Sequence, residues 1–193
     1  MALKGQQTKS DFIEWDKLQS LILKLERDGN RKFALLISIG IFTGLRISDI
    51  LVLRWKDVVA QEFVEVVEKK TKKFRRVRIN QHLQDIISRI YTDENDLENL
   101  IFLNRFQTSA ISVQYVNREL KNLAIEYKLS KEPAKIKSHS LRKSFGRRVF
   151  ENNDNSERSL ILLSEMFNHT SIKTTKIYLG IREKEMFDVY DNL

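Results

Sequence analysis

VVAQEFVEVVEKKTKKFRRVRI, residues Val58 to Ile79, is the stretch in which this chain changes its period. Val58-Val59, Phe63 to Val67 and Phe74 to Ile79 are β-branched or aromatic segments separated by polar turns. They are expected to form two or three short antiparallel strands, with Lys69-Lys70-Thr71-Lys72-Lys73 as the hairpin loop. Alternation along the second segment puts Arg76 and Arg78 on one side of the ribbon and Arg75 and Val77 on the other. Lys69 to Arg78 holds seven Lys or Arg in ten residues and no acid. Such a run is either a solvated face or, on a hairpin, a basic finger for a DNA groove, where phosphates would neutralise its self-repulsion.

On both sides of this stretch the period is helical. Phe12, Trp15, Leu18, Leu21, Ile22 and Leu25 form one apolar stripe, ended by Asp28-Gly29-Asn30. Phe33 to Phe42 is apolar on most sides and therefore a buried helix, which Gly44 breaks before a short helix from Arg46 to Leu53. Beyond the strands, Asn80 can cap a helix running to Tyr91, and Thr92 to Asn99 is an acidic loop. A long helix is expected from about Ser109 to Tyr127. Further helices are expected from an N-cap at Ser138 to Phe150, from Leu160 to Phe167, and from Ser171 to near Gly180. The fold class is mixed, mainly α-helical with a small antiparallel β-sheet.

The chain has 193 residues, which at about 150 residues per domain is one full domain or one core with an appendage. Hydrophobic residues at 41% allow a core, and 31% charged residues do not make the chain compositionally disordered. Thirty-four Lys and Arg against 26 Asp and Glu leave a formal charge of +8, which favours a polyanionic partner, nucleic acid or an anionic membrane surface. The absence of cysteine excludes disulfide scaffolds, thiolate metal sites and cysteine nucleophiles. The first ten residues carry no apolar signal-like run, and Phe33–Phe42 is too short to span a bilayer, so an intracellular, cytoplasmic protein is expected.

Two further clusters carry chemistry. Lys137-Ser138-His139-Ser140-Leu141-Arg142-Lys143 places His139 and Arg142 three apart, on one face at a helix N-terminus where backbone N–H groups favour an anion. The pair is either a phosphate site or a surface capping arrangement. Asn168-His169-Thr170-Ser171-Ile172-Lys173-Thr174-Thr175-Lys176-Ile177-Tyr178 ends on a tyrosine that is either a core residue or a nucleophile.

Taken in order, these segments resemble the catalytic domain of the tyrosine recombinases, or phage-type integrases, over roughly Phe12 to Gly180. Thr43-Gly44-Leu45-Arg46-Ile47-Ser48-Asp49-Ile50, followed by Leu53 and Trp55, resembles the first block, with Arg46 as the first catalytic arginine. Lys70 is the best match to the hairpin lysine, with Lys72 and Lys73 close in register. His139-Ser140-Leu141-Arg142 is similar to the His-x-x-Arg box, and the last segment supplies His169 and the nucleophile Tyr178. This chain departs from the family in having Asn168 where glycine is common, Lys143 where histidine is frequent, and several extra residues around Glu151 to Asn155.

The resemblance implies a catalytic-domain fold at 12–180, a flexible segment at 1–11, and a tail at 181–193 that docks on its own core or on a neighbour. It implies site-specific strand cleavage and rejoining through a 3′-phosphotyrosyl link with no metal, ATP or other cofactor. The rivals are a type IB topoisomerase-like nicking-closing enzyme and a DNA-binding module without activity. Catalytic roles fall to Arg46, Lys70, His139, Arg142, His169 and Tyr178. DNA contacts fall to Lys69, Lys72, Lys73, Arg75, Arg76, Arg78, Lys137 and Lys143. The implied partner is double-stranded DNA, on which the full-length protein would be a homo-tetramer, whereas the free chain would be a monomer away from any membrane. Members usually carry a clamp domain ahead of this one, so a catalytic fragment of a bacterial or mobile-element protein is expected.

The chemistry expected of these residue types is independent of the resemblance. Two arginines can each give two N–H bonds to non-bridging phosphate oxygens, histidines can donate further bonds or take a proton, and a lysine can protonate a departing oxygen. A tyrosine with a free pKa near 10 needs a cationic pocket to act as a nucleophile.

Overall fold

The computed structural model describes residues 10–92, 94–181 and 190–191, so the segment 1–9 and most of the tail lie outside the described residues. Helices α1 (Trp15–Arg27), α2 (Arg31–Thr43) and α3 (Ile47–Ile50) precede strands β1 (Phe63–Val67) and β2 (Phe74–Arg78). Helices α4 (Gln81–Ile90), α5 (Val113–Glu126), α6 (Ser138–Glu151), α7 (Glu157–Phe167) and α8 (Ile172–Leu179) follow. The mainly helical class with one small antiparallel sheet is as the sequence implies.

The central member is α2. Ten of its thirteen residues are buried, which is why its sequence is apolar on nearly every side. It packs against α1, α4 and α6. Asn30 caps it, accepting from the Phe33 N–H, and Asn80 caps α4 by accepting from Leu83. Ser112, Ser156 and Ser171 do the same for α5, α7 and α8.

The sheet has two strands, with Phe63 opposite Arg78 and Val66 opposite Arg75. Val58-Val59 is not a third strand. Val58 ends a 3-10 turn, Trp55–Asp57, and the chain then reverses through Ala60 at φ 54°. Several helix starts also differ from expectation; α7 begins at Glu157, three residues before Leu160, because Ser156 caps it. Phe12 and Ile13 precede α1 outside the helix, where the Ile13 N–H donates to Ser144 Oγ and Ser144 Oγ donates back to the Ile13 carbonyl. Residues before α5 are drawn into a bridge between Leu103 and Ala110. Ser138 is the first helical residue of α6 rather than its cap, and its N–H donates to Asn117 Oδ1.

The core is in two parts. The larger collects α1 to α5, the sheet and Leu141 of α6. The smaller gathers Phe150, Leu160, Leu163, Phe167, Leu179 and Ile181, with Phe145 and Tyr178 packed against it. Helix α6 runs between them, and the polar residues of the candidate site lie along this seam.

At Gly44 the chain leaves α2 in the left-handed conformation at φ 60°, and a Cβ there would lie 2.4 Å from Phe145 Cδ1. Both the dihedral and the space require glycine. Gly44→Ala is expected to cost about 2 kcal/mol, seen as a melting temperature lower by roughly 6 °C. An unchanged melting temperature would show that Phe145 moves aside freely.

Candidate active site

The turn after α2 delivers Arg46, and the first turns of α6 deliver Arg142 from the opposite side of the seam. Thr43 shapes the turn, its Oγ1 donating to the Ile39 carbonyl and accepting from the Leu45 N–H. Arg142 Nη1 donates to the Gly44 carbonyl, and its Nη2 donates to the Phe167 carbonyl at 3.3 Å. Arg46 Nη2 reaches the same carbonyl at 3.3 Å. The end of α7 thus brings two guanidinium groups to one oxygen. The Phe167 ring also lies 4.3 Å from the Arg142 guanidinium carbon. Burial lowers the Arg142 pKa to about 10, partly opposed by Tyr178 and helped by Arg75 and Arg46.

A carboxylate compensates this charge. Glu68 is completely buried; it pairs with Arg46 and, at 3.5 Å, with Arg75. Thr71 Oγ1 donates to it at 2.6 Å and Asn168 Nδ2 at 3.3 Å. Burial works to raise its pKa, but Thr71 and Arg46 outweigh that and hold it below the usual carboxylate value. Asp49, also buried, accepts from the Lys69 N–H at 3.0 Å and from Ser48. It therefore fastens the hairpin to α3 as well as serving its own helix.

The smaller core cluster carries the other groups. The His169 ring packs edge-on against Phe167 and Tyr178, with centroids 5.4 and 5.2 Å away, and its Nδ1 is 2.9 Å from Thr175 Oγ1. Tyr178 Oη is buried with no hydrogen-bond partner. Burial pushes its pKa up to about 12, while Arg142 and Arg46 pull the other way. The histidines are held below their ordinary pKa. His169 is lowered by burial and then by Arg142, Arg46 and Lys70. His139, which keeps a solvent-facing edge, is lowered by desolvation of its packed side and then by Arg142, Lys70, Arg46 and Lys143. Lys70, exposed on the loop, thus acts electrostatically on both rings.

Arg46, Arg142, His169 and Tyr178 thus meet along the seam, and Lys70 and His139 lie within electrostatic range of them. The other basic residues divide. Lys69 and Lys72 are exposed on the loop, and Lys73 Nζ donates to Asn168 Oδ1 at 3.2 Å. Arg75 points inward, donating to the Thr43 carbonyl, and burial lowers its pKa against the pull of Glu68. Arg76 lies on the outer face, paired with Glu65 and 3.9 Å over the Phe63 ring; Arg78 flanks the same ring. Lys137 is half-buried at the start of α6. Lys143 is buried, its Nζ donating to the Ser10 carbonyl at 2.6 Å and lying 5.4 Å from the Tyr178 ring centre. Among the described residues, no group of three or more His, Asp or Glu side chains is placed to hold a metal ion.

Comparison with known proteins decides the family. The sequence profile described as the Phage integrase family matches residues 11–185. A probable integrase/recombinase of Bacillus subtilis, YoeC, is 32% identical over 168 residues, 87% of this chain and 87% of that protein. The tyrosine recombinase XerH of Campylobacter jejuni is 24% identical over 175 residues, 87% of this chain but only 48% of that one. The crystal structure of the XerA recombinase superposes with a TM-score of 0.68 at 19% identity, covering 100% of this chain and 66% of that chain. A pre-cleavage complex of XerH on its difH substrate gives 0.64 at 24% identity, covering 98% and 56%. The chain belongs to the phage integrase family.

Two departures of this integrase-family chain have structural accounts. Asn168 takes the left-handed conformation, φ 52° and ψ 46°, that a glycine would adopt there, and the His169 N–H then closes on the Ser164 carbonyl. The α6–α7 connection turns through Asp154 and Asn155, at φ 53° and 54°, residue types that tolerate this region. Sequence reasoning missed Glu68, Phe167 and the side-chain role of Asn168. Glu68 had a signal, because it continues the inward row of Val64 and Val66.

Glu68→Gln keeps the shape but leaves Arg46 and Arg75 facing each other without a carboxylate. The expected cost is about 3 kcal/mol in a denaturant titration; a neutral result would show that the carbonyl contacts suffice. Histidines held below 6.5 are mostly neutral in the folded protein while the unfolded chain takes up protons. Their contribution to stability is therefore present above pH 6.5 and is lost as pH falls through their folded values. The melting temperature is expected to drop between pH 7.5 and 5.5, and to drop less in a His139→Asn, His169→Asn variant.

Proposed function

We propose that this chain is the catalytic part of a tyrosine recombinase, which cleaves and rejoins double-stranded DNA through a phosphotyrosyl intermediate. The observation that carries this reading is the Tyr178 hydroxyl, buried and without a hydrogen-bond partner while lying in the field of Arg142 and Arg46. A buried hydroxyl is normally satisfied, and a phosphate held by the two arginines is a group that would complete this one.

In the proposed reaction Arg46 and Arg142 exchange part of their hold on the Phe167 carbonyl for the non-bridging oxygens of the scissile phosphate. Charge on those oxygens grows in the transition state, so fixed guanidinium groups stabilise it more than the ground state. Tyr178 Oη forms the bond to phosphorus as the bond to the 5′-oxygen breaks, leaving a 3′-phosphotyrosyl ester. Neutral His139 or His169 is suited to take the phenolic proton, and Lys70 to give one to the departing 5′-oxygen. Attack by a 5′-hydroxyl of a partner strand reverses the step. The ester conserves the bond energy, so the reading calls on neither metal nor ATP.

In this reading Lys69 and Lys72 on the loop and Lys137 beside His139 meet phosphates flanking the scissile one, and Lys73 adds its charge beside them while bonded to Asn168. Arg75 and Lys143 serve the site from within. The wider assembly in this reading is a homo-tetramer on two duplexes, formed from free monomers, in a cytoplasmic protein of bacterial or mobile-element origin. Among the described residues, no helix is long and apolar enough to cross a membrane.

Incubation in EDTA with nicked duplexes from a pool of sequences should give an SDS-resistant protein–DNA adduct, joined through Tyr178 to a 3′-phosphate. Tyr178→Phe should give none, and Arg142→Lys should lower the yield by about 10²- to 10³-fold. Folded protein that binds the same duplexes without forming an adduct would sink the reading.

A further inference from the structure

The loop that carries Lys70 is gripped at both ends by one side chain. Its closure is a pair of backbone hydrogen bonds, Glu68 N–H to the Lys73 carbonyl at 3.0 Å and Lys72 N–H to the Glu68 carbonyl at 2.8 Å, with Lys72 at φ 58°. Asn168 Nδ2 donates to Glu68 Oε2, at the first end of the loop. Asn168 Oδ1 accepts from Lys73 Nζ, at the other. Asn168 also forms the left-handed link between α7 and His169. A glycine could supply that backbone turn, but it has no side chain to reach the loop.

We propose that Asn168 is a latch: acting through Glu68 and Lys73, it holds the Lys70 loop against the His169 turn, so that the proton donor is in place when the scissile phosphate arrives. Asn168 is thus a positioning residue. It touches neither phosphate nor leaving group, and it acts by narrowing the conformations open to the loop. The reaction step it serves is the transfer of a proton from Lys70 Nζ to the 5′-oxygen as the P–O5′ bond breaks and the Tyr178 Oη–P bond forms. Three features favour the latch over an incidental contact. Its Glu68 partner is fully buried and is also paired with Arg46 at the same oxygen and with Arg75 at the other. Thr71, the neighbour of Lys70, is bonded to the same carboxylate. The Lys69 N–H is tied to Asp49, so Lys70 lies between two anchored residues while its own side chain is exposed.

The inference rests on the reading of Lys70 as the proton donor, and its test separates the two. The variant is Asn168→Gly, which frees the side-chain contacts while keeping the turn. Amide hydrogen exchange of the free protein comes first. The Glu68 and Lys72 amides are expected to exchange at least about fivefold faster than in wild type, with the amides of α2 and α6 unchanged. Unchanged exchange at these two amides would overturn the latch, whatever the enzyme does.

The second readout is single-turnover cleavage of a duplex captured in the adduct experiment, made with either the ordinary 5′-oxygen or a bridging 5′-sulfur at the scissile position. A thiolate leaves without a proton. Asn168→Gly should slow the oxygen substrate about tenfold and leave the sulfur substrate at the wild-type rate, and Lys70→Ala should show the same pattern more strongly. Equal slowing on both substrates by Asn168→Gly would overturn the latch in favour of a role in holding the phosphate. Lys70→Ala that sulfur does not rescue would instead overturn the proton-donor reading, with the exchange result still deciding whether Asn168 restrains the loop.

Discussion

Three guanidinium groups in one seam of the core, with one fully buried carboxylate touching two of them, is the constraint on which the rest of this structure depends. Arg46, Arg75 and Arg142 would repel one another if the protein did no more than bury them. Glu68 offsets part of this charge, and the carbonyls of Thr43, Gly44 and Phe167 each accept from one or two of the guanidinium groups. The compensation is incomplete in charge and in hydrogen bonds, since one buried Arg46 nitrogen, ion-paired with Glu68, has no hydrogen-bond partner. A site of that kind keeps a net positive field in a poorly hydrated place, which is what an anionic phosphate diester meets most favourably.

The fold meets this constraint through backbone positions more than through side-chain chemistry. All three accepting carbonyls belong to helix ends, Thr43 and Gly44 at the end of α2 and Phe167 closing α7, where carbonyls lack intrahelical partners. Both ends turn through a left-handed residue, Gly44 in one case and Asn168 in the other. The Phe167 ring completes the arrangement by packing under Arg142, His169 and Tyr178 together. One apolar residue therefore sets the mutual placement of three of the groups proposed to act on phosphate. This is also why the site lies between the two core clusters: the larger supplies the first arginine and the hairpin, and the smaller supplies His169 and Tyr178.

What could be read in the sequence follows from the range of each interaction. The period-2 pattern at Phe63–Val67 and Phe74–Arg78 and the Asn80 cap are local, and they stand where local reasoning puts them. Val58-Val59 reads as strand because two β-branched residues look alike in a strand and in a tight turn. Only the 3-10 turn and the reversal at Ala60 separate the two. The start of α1 was hidden for a different reason, since Phe12 fits the helical stripe but Ser144, far along the chain, bonds both backbone groups of Ile13 outside the helix. The groups proposed to meet the phosphate were legible as motifs. Their support was not, because Glu68 meets Arg46 and Asn168 only after the hairpin has folded across the seam. A basic run on a hairpin also says nothing of which arginine turns inward until the pleat is fixed, and Arg75 does.

The state of Tyr178 then bears on how the proposed attack must proceed. Burial pushes the Tyr178 pKa up to about 12, so a phenolate formed ahead of the attack is not the natural route at pH 7. An arriving phosphate adds negative charge beside the hydroxyl and makes early ionisation harder still. It also draws on the arginines that favour phenolate. Proton removal and attack on phosphorus are then best coupled, the proton leaving as the bond to phosphorus forms and charge passes onto the oxygens that Arg46 and Arg142 hold. A base for such a step has to be neutral at working pH and within the same cationic field. In the proposed step His139 and His169 suit that role, because desolvation and the surrounding positive charges hold both below the ordinary histidine pKa. The excess of positive charge would thus have two effects: it holds the phosphate, and it keeps the base free.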